Sequence, residues 1–277
     1  MLFRRDRMRE TMAMDAREQE PALRVYWMPG CTSCLRTKEF LTKHGVPFVS
    51  VDVVANKRGF EELAELGIRR VPIVRRGSEW ADGQVLADVA RIAGIEYGAP
   101  PRLEPEELAA RVDAILAAAA RLLQQIPESK LDTMLPNRPR SYRELACHIF
   151  QIPELFLDLL EHSKRLEFAD YFRKVPPELT TGAELAAWGE AIRCRFRVWW
   201  ERAGKATDYA TKADVYYGEQ TLLDFMERTA WHAAQHTRQL QLVVETLGIA
   251  PDRGLAAEDL AGLPLPTNIW DDAMQFA

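Results

Sequence analysis

The sequence predicts two domains of different class, a small α/β domain followed by an all-α four-helix bundle. Short apolar runs alternate with short helical patterns as far as Gly98, and four long amphipathic helices follow a proline-rich stretch. The length of 277 residues also suits two domains of ordinary size. We therefore assign residues 22–98 to the α/β domain, residues 99–104 to a linker and residues 105–250 to the bundle.

The two ends of the chain fall outside these domains. Residues 1–21 mix basic and acidic side chains and lack the apolar centre of a signal peptide, so we expect a poorly ordered segment and a cytoplasmic protein. Residues 251–277 are rich in proline and leucine, and we expect them to pack as a tail on the bundle.

Composition excludes several classes of protein. A net charge of −5 gives no reason to expect nucleic-acid binding, which needs many basic side chains. The apolar runs are interrupted by charged residues, so no stretch reaches the ~18 apolar residues of a membrane span. Four cysteines, two of them isolated, do not resemble a secreted disulfide framework.

The α/β domain is predicted from six segments that alternate in type. Runs rich in branched and aromatic residues are typical of strands, and amphipathic runs that end in glycine are typical of helices. A further strand between the third strand and the third helix is left optional. In chain order the segments are strand 23–28, helix 35–45, strand 46–53, helix 59–67, strand 71–77 and helix 84–94.

The bundle is predicted from four segments with apolar residues along one face. The second opens with Ser141 and Glu144, the spacing of a capping box, and contains Pro153, which should kink it. The four predicted helices cover residues 106–126, 141–163, 180–204 and 219–248.

Two cysteines, Cys31 and Cys34, lie where a strand ends and a helix begins. The positive end of a helix stabilises the thiolate of the first cysteine, and a two-residue spacer lets the second cysteine resolve a mixed disulfide. The spacing favours a redox dithiol. Half of a zinc site and a pair of inert buried thiols stay open as alternatives.

Residues 23–96 resemble the glutaredoxin family of the thioredoxin-like fold. The similarity rests on VYWMPGCTSC, on the strand Val49–Val53 and on Arg70-Val71-Pro72, which lies where the family has its cis-proline. It implies thiol–disulfide exchange with Cys31 as nucleophile and Cys34 as resolving cysteine. It further implies that Val71 and Pro72 hold the substrate backbone.

The electron donor is a separate question. Glu79–Gly83 lies where the family has a turn bearing glycine and aspartate. This resemblance implies that Asp82 binds substrate. It also implies similarity to the branch of the family that depends on thioredoxin reductase. Met28 replaces the basic residue that many members carry, and Thr-Ser replaces the usual Pro-Tyr spacer. Expected donors are therefore glutathione, another low-molecular-weight thiol or a thioredoxin-reductase-type protein.

Three histidines are predicted to converge inside the bundle. His232 and His236 are four residues apart on one helical face, and His148 lies on the inward face of the second helix. Three neutral imidazoles with an open position are a common ligand set for a catalytic divalent metal. Without a metal, they would need several hydrogen-bond partners in an apolar core. The trio therefore favours metal binding.

Residues 104–250 resemble the DinB-like family of metal-binding bundles. The segments that carry the similarity are ELACHIFQIPELF and ERTAWHAAQHTRQLQ. The resemblance implies that His148, His232 and His236 bind zinc, nickel or a similar ion, and that the site activates a low-molecular-weight thiol for transfer or isomerisation. Gln235 and Arg238 share the last helix and are candidates to orient a substrate.

The remaining candidate residues are interpreted as structural. His44 and His162 lie among charges near helix ends and are expected to be solvated, and Cys147 and Cys194 are expected to pack in the core. Four aromatic side chains of the third long helix are expected to form core or pocket wall. They are Trp188, Phe196, Trp199 and Trp200.

Three functions are compatible with these patterns. The first is a dithiol redox domain coupled to a metal-dependent thiol transferase of the glutathione-using type. The second is a redox carrier whose metal site is structural or sensory, and the third is a binding module without metal. The first is preferred because covalent linkage raises the effective concentration of one module at the other. A low-molecular-weight thiol is the expected partner, nucleic acid and membrane are not, and a homodimer is left open.

Overall fold

The computed structural model describes residues 21–136 and 138–271. Within this part of the chain, residues 21–28 and 37–98 form one compact unit, and residues 29–36 and 99–271 form a second. The poorly ordered segment predicted at residues 1–21 lies outside the described residues, except for its last position. No described helix is both long and apolar enough to cross a membrane.

The first unit contains a four-stranded mixed sheet with the strand order β2-β1-β3-β4. Strand β1 runs parallel to β2 and antiparallel to β3, and β3 runs antiparallel to β4. This small mixed sheet with its helices fits the predicted thioredoxin-like domain. In chain order the elements are β1 (Arg24–Trp27), α1 (Thr32–Lys43), β2 (Val49–Asp52), α2 (Lys57–Glu65), β3 (Ile73–Arg76), β4 (Glu79–Asp82) and α3 (Leu86–Ala93). Residues 32–36, the start of α1, belong to the second unit.

Strand β1 forms the centre of the sheet because its apolar residues are consecutive. Val25, Tyr26 and Trp27 are all buried, as expected for a strand that is covered on both faces. The core around it joins sheet and helices. Its buried members are Leu23, Val25, Phe40, Leu41, Val74, Ala81, Val89, Ala90, Ile92 and Ala93.

Strand β4 is the optional element of the sequence prediction. The turn expected over residues 79–83 is a strand as far as Asp82, because Gly77 takes a positive φ of 61° and closes a tight hairpin after β3. Arg75 Nε donates to the Gly77 carbonyl at 2.7 Å within that hairpin. Ala81 and Asp82 thereby become buried beside β3.

The second unit is helical, and its four long helices pack against one another. Helix α4 contacts α5, α6 and α7, and α5 also contacts α6 and α7. Helix α5 continues through Pro153 as far as His162. The helices are α4 (Pro105–Gln125), α5 (Tyr142–His162), α6 (Gly182–Arg202), α7 (Leu222–Thr246) and the short α8 (Ala257–Leu260).

The beginning of α5 confirms the predicted capping box. Ser141 Oγ accepts from the Glu144 amide at 3.2 Å, and Glu144 Oε2 accepts from the Ser141 amide at 2.6 Å. Two free amides at the helix end are satisfied in this way, which places the start of α5 at Tyr142.

The beginning of α7 differs from the prediction. A two-stranded hairpin, β5 (Lys212–Val215) and β6 (Gly218–Thr221), precedes it, so residues 219–221 are strand and not helix. Gly218 has a φ of 114° at the turn, a conformation that glycine adopts without strain. Thr221 then caps α7 by accepting from the Asp224 amide at 3.0 Å. The polar pattern of residues 219–221 suits a hairpin strand as well as a helix start, and this is why periodicity alone was wrong here.

Gly189 marks a close approach between α6 and α5. A Cβ added there would lie 2.5–2.6 Å from three ring carbons of Phe150, which is fully buried. We expect Gly189→Ala to lower the free energy of unfolding by about 1–3 kcal/mol, because overpacking outweighs the ~1 kcal/mol that alanine gains in a helix interior. The control is Ala187→Gly on the exposed face of α6, which measures only the difference in helix propensity between alanine and glycine. Denaturant unfolding of both variants checks the prediction, which a stabilised Gly189→Ala would contradict.

Candidate dithiol and metal sites

The two cysteines lie at the start of α1. The Leu35 amide donates to the Cys31 carbonyl at 3.0 Å, so Cys31 occupies the position just before the helix. Cys31 and Cys34 form a disulfide, and the Cys34 amide donates to Cys31 Sγ at 3.2 Å. Cys31 is half-buried and Cys34 is fully buried. The first sulfur is therefore the more accessible of the two to a second disulfide.

The zinc interpretation of this pair finds no support in the described residues. Those residues contain one group of three or more histidine, cysteine or acidic side chains that lie close enough to hold a metal ion, and neither Cys31 nor Cys34 belongs to it. His44, the nearest histidine in sequence, is exposed and its Nδ1 lies 2.9 Å from the Phe40 carbonyl. The disulfide also occupies both sulfurs.

The loop before β3 carries the predicted substrate-binding residues. The Val71–Pro72 peptide bond is cis, which agrees with the family pattern. The Pro72 carbonyl accepts from the Gly83 amide at 2.9 Å, and Thr37 Oγ1 donates to the Gly83 carbonyl at 2.9 Å. An added Cβ at Gly83 would lie 2.7 Å from Pro72 Cγ, so only glycine lets these two segments approach so closely.

Asp82 is buried and already bonded on both carboxylate oxygens. Oδ2 accepts from Arg70 Nε at 2.7 Å, and Oδ1 accepts from the Gln84 amide at 3.0 Å. These contacts fix the end of β4 beside the cis-proline loop. Substrate binding by Asp82 stays a prediction, and the bonds show that this carboxylate also orders the loop.

The three predicted histidines converge in the helical unit. His148 comes from α5, and His232 and His236 come from adjacent turns of α7. One nitrogen of each ring lies within 4.8 Å of the corresponding nitrogens of the others, and the exposed fractions of the residues are only 6%, 7% and 2%. The trio could therefore hold a metal ion.

Hydrogen bonds orient the ring of His236. Gln239 Oε1 lies 2.7 Å from His236 Nδ1, so this nitrogen carries a proton and donates it. His236 Nε2 then carries a lone pair, which accepts a hydrogen bond from His232 Nε2 at 3.2 Å. His232 Nδ1 is buried and has no hydrogen-bond partner among the described residues. Three imidazole nitrogens this close to one another fit the donor set of a divalent ion.

The electrostatic surroundings keep the three imidazoles neutral. Burial lowers the pKa of each ring well below its usual value, and the positive charge of Arg140 lowers the pKa of all three further. Arg228 acts in the same direction on the pKa of His232 and His236. Neutral imidazole is the form that binds a metal, so no deprotonation is needed at neutral pH.

Sequence analysis missed the group that surrounds Arg228. This residue precedes His232 by one helical turn and is itself buried. Its Nη2 donates to the Tyr216 hydroxyl at 3.1 Å, and its guanidinium carbon lies 4.9–5.8 Å from the ring centres of three tyrosines. The four-residue spacing of Arg228, His232 and His236 places them on one helical face, so the sequence could have indicated that Arg228 lies near the histidines. The tyrosines are Tyr171, Tyr216 and Tyr217.

Gln235 and Arg238 bond the C-terminal segment. Gln235 Nε2 donates to the carbonyls of Asn268 and Ile269 at 3.0 and 2.8 Å. Arg238 donates to Gln235 Oε1 at 2.6 Å and to the carbonyls of Pro266 and Thr267 at 2.9 and 3.0 Å. These contacts attach the segment to α7, a role that sequence analysis did not foresee for residues considered as substrate ligands.

The two isolated cysteines differ from each other. Cys147 is buried, and burial raises the pKa of its thiol to about 12, so it is unreactive at neutral pH. Cys194 is exposed, and the prediction that it lies in the core was wrong. The apolar residues near it in sequence suggested burial, but Cys194 is turned away from the neighbours Ile192 and Phe196, which are buried.

Comparison with known proteins identifies the first domain. Residues 23–80 match the glutaredoxin family model. A 51-residue stretch, 18% of this chain, is 41% identical to the Gene 56 protein of Mycobacterium phage L5. That stretch spans about half, 50%, of the phage protein. The chain therefore carries a glutaredoxin-like domain, and its Cys31–Cys34 pair supports thiol–disulfide redox function.

Proposed function

We propose that Cys31 and Cys34 are the catalytic dithiol of a thiol–disulfide oxidoreductase. In the reduced protein the Cys31 thiolate attacks a substrate disulfide, forms a mixed disulfide and releases one thiol, which takes up a proton. Cys34, after losing its proton, then attacks the Cys31 sulfur and releases the second thiol. Two equivalents of a low-molecular-weight thiol such as glutathione, or a thioredoxin-reductase-type protein, return the disulfide to dithiol. The half-buried sulfur of Cys31 beside a helix start supports this order of attack.

The loop residues have supporting roles in this proposal. Val71 and Pro72 would hold the substrate backbone, and Asp82 would bind substrate while ordering the loop through Arg70. The bonds among Pro72, Gly83 and Thr37 support a rigid loop at this place.

We further propose that the helical unit is a DinB-like four-helix bundle in which His148, His232 and His236 bind a divalent ion, zinc or nickel. The observation that carries this proposal is the convergence of three neutral, buried imidazoles with ligand atoms within 4.8 Å of one another. A bound ion would act as a Lewis acid that favours the thiolate form of a coordinated thiol.

The residues of the chain have separate tasks in such a site. Gln239 orients His236 through Nδ1, and the low exposure of the three rings excludes bulk water. Arg140 and Arg228 contribute positive charge that would stabilise a thiolate nearby. These features support a metal-dependent transferase in which the sulfur of a low-molecular-weight thiol displaces an anionic leaving group from an electrophilic carbon, and the thiol proton and the leaving group both pass to solvent.

A structural or sensory metal site is the second candidate. The exposed fractions of 2–7% for the three histidines favour a structural or sensory site. A catalytic site needs a fourth ligand position that a substrate can reach, and such low exposure restricts access to it. In that case the dithiol alone would carry out chemistry, and the ion would stabilise the helical unit.

Metal analysis and a turnover assay test these alternatives. We expect about one equivalent of zinc or nickel in the purified full chain. Consumption of glutathione with 1-chloro-2,4-dinitrobenzene should fall at least about tenfold after chelation and recover when the metal is returned. Full turnover by metal-stripped protein would reject the transferase. If metal removal lowers the melting temperature and leaves the turnover unchanged, the result would favour the structural site.

A further inference from the structure

The segment that carries both cysteines, residues 29–36, belongs to the helical unit by its contacts. The two residues between the cysteines are polar, yet Thr32 and Ser33 are only 3% and 4% exposed. Cys34 is fully buried, whereas Cys31 is half-buried. Of the four residues from Cys31 to Cys34, Cys31 is therefore the one that a reactant can reach.

Arg138 fixes the main chain just before the dithiol. This residue lies between α4 and α5, and its Nη1 donates to the carbonyl of Gly30, the residue directly before Cys31. Gly30 is itself buried. A hydrogen bond from a charged donor is about twice as strong as one between neutral groups. The contact therefore keeps the long side chain of Arg138 against the N-terminal side of the dithiol.

Arg36 makes the corresponding contacts after the dithiol, two residues beyond Cys34. Its Nε donates to the Pro264 carbonyl at 3.1 Å, and its guanidinium carbon lies 4.9 Å from the ring centre of Trp231. A guanidinium at this distance is attracted to the face of an indole ring. Trp231 belongs to α7 and is buried. The helical unit thus contacts the cysteine segment on both sides of the dithiol.

These contacts limit the size of the disulfide that can reach Cys31. In thiol–disulfide exchange the attacking sulfur must meet a sulfur of the substrate, so the rate depends on access. A disulfide within a folded protein brings the bulk of its own chain to that point and needs clear surface around the thiol. A disulfide of two small thiols does not. Because both sides of the dithiol are occupied, steric exclusion acts on the larger substrate.

We infer that the helical unit makes the dithiol selective for disulfides of low-molecular-weight thiols, with Arg36 and Arg138 as the residues that determine this selectivity. The Cys31 thiolate displaces one small thiol and forms a mixed disulfide with the other, which Cys34 then displaces as the Cys31–Cys34 bond forms. Two protons and two electrons pass from the dithiol to the two small thiols. The exchange rests on the proposed function, and the exclusion of protein disulfides rests on the two arginine contacts.

Oxidation of the reduced full chain by two disulfides tests the selectivity. The small substrate is bis(2-hydroxyethyl) disulfide and the protein substrate is insulin. Each rate constant is divided by that of the same disulfide with dithiothreitol, which corrects for intrinsic reactivity. We expect the corrected rate constant for the small disulfide to exceed that for insulin at least about 100-fold. Equal corrected rate constants would overturn the inference.

Replacing both arginines tests their role. Arg36→Ala together with Arg138→Ala should lower the preference for the small disulfide at least about tenfold, because the two hydrogen bonds beside the dithiol are lost. Both disulfides meet the same Cys31 thiolate, so a change in its ionisation cancels from the ratio. Arg202→Ala on the exposed face of α6 is the control and should keep the preference. A preference that the double variant keeps in full would overturn the assignment of these two residues.

A comparison of two maleimides tests access to Cys31 without any substitution. N-ethylmaleimide and a maleimide that carries a long poly(ethylene glycol) chain react by the same chemistry and differ in size. In the reduced full chain the exposed Cys194 is the internal control. Relative to Cys194, we expect the large reagent to modify Cys31 at least about tenfold more slowly than the small one, measured by peptide mapping with mass spectrometry.

The alkylation result also separates this inference from the proposed function. The same size dependence at Cys31 and Cys194 would overturn the inference. The absence of exchange with either disulfide would instead reject the proposed oxidoreductase, and the alkylation would still decide whether the helical unit restricts access to Cys31.

Discussion

Cys31→Ser is expected to abolish reduction of bis(2-hydroxyethyl) disulfide by the full chain, with a loss of at least about 10³-fold in turnover. The substitution removes the nucleophile, and a serine hydroxyl is not ionised at neutral pH. Cys34→Ser should retain part of the turnover with glutathione, because a second glutathione can resolve the mixed disulfide at Cys31. A coupled assay with glutathione and its reductase measures both variants.

Mass spectrometry separates the roles of the two cysteines. Cys34→Ser should accumulate a glutathione adduct on Cys31, and Cys31→Ser should accumulate none. Cys147→Ser and Cys194→Ser serve as controls that should match the parent, because the first thiol has a pKa raised to about 12 and the second lies outside the dithiol. Substantial turnover by Cys31→Ser would contradict the assigned nucleophile.

His232→Ala is expected to reduce metal content from about one equivalent to less than about one tenth. The variant loses one of three imidazoles and leaves the remaining two to bind the ion. We expect the affinity for the metal ion to fall at least about 100-fold, because even the loss of a residue that only orients a metal ligand lowers metal affinity about 10–100-fold. Competition with a chromophoric chelator measures the affinity.

The exposed His44 provides the matched control, and His44→Ala should keep full metal content. Gln239→Leu should bind metal about 10–100-fold more weakly, because it removes the acceptor for His236 Nδ1. Full occupancy in His232→Ala would reject the proposed ligand set. Reductase turnover by the dithiol should be unchanged in His232→Ala, which separates the two proposed centres.

Local patterns in the sequence were sufficient for much of the fold. The consecutive apolar residues Val25–Trp27 predict a buried strand, and Ser141 with Glu144 predicts the start of α5. Helical periodicity also predicted that His232 and His236 share a face, because residues four apart lie on adjacent turns. That His148 meets them required the packing of α5 against α7, and the structure brings the three rings together.

Other features depend on contacts that no local pattern contains. The buried Nη1 of Arg140 depends on how the chain folds before α5, and the tyrosines around Arg228 come from two separate places in the chain, Tyr171 and the adjacent Tyr216 and Tyr217. The exposure of Cys194 likewise depends on which face of α6 meets the other helices. Such features follow from tertiary packing, which local propensity does not determine.

The carboxamide of Gln239 links the C-terminal segment to the chemistry of His236. Its Nε2 donates to the Ile269 carbonyl at 3.1 Å, and a carbonyl can only accept. The amide orientation is therefore set, and its oxygen must face the imidazole. A peptide group 30 residues further along the chain thus selects the tautomer of His236. A chain truncated before Ile269 would lose this selection, so its imidazole would populate both tautomers and present Nε2 as a ligand for only part of the time.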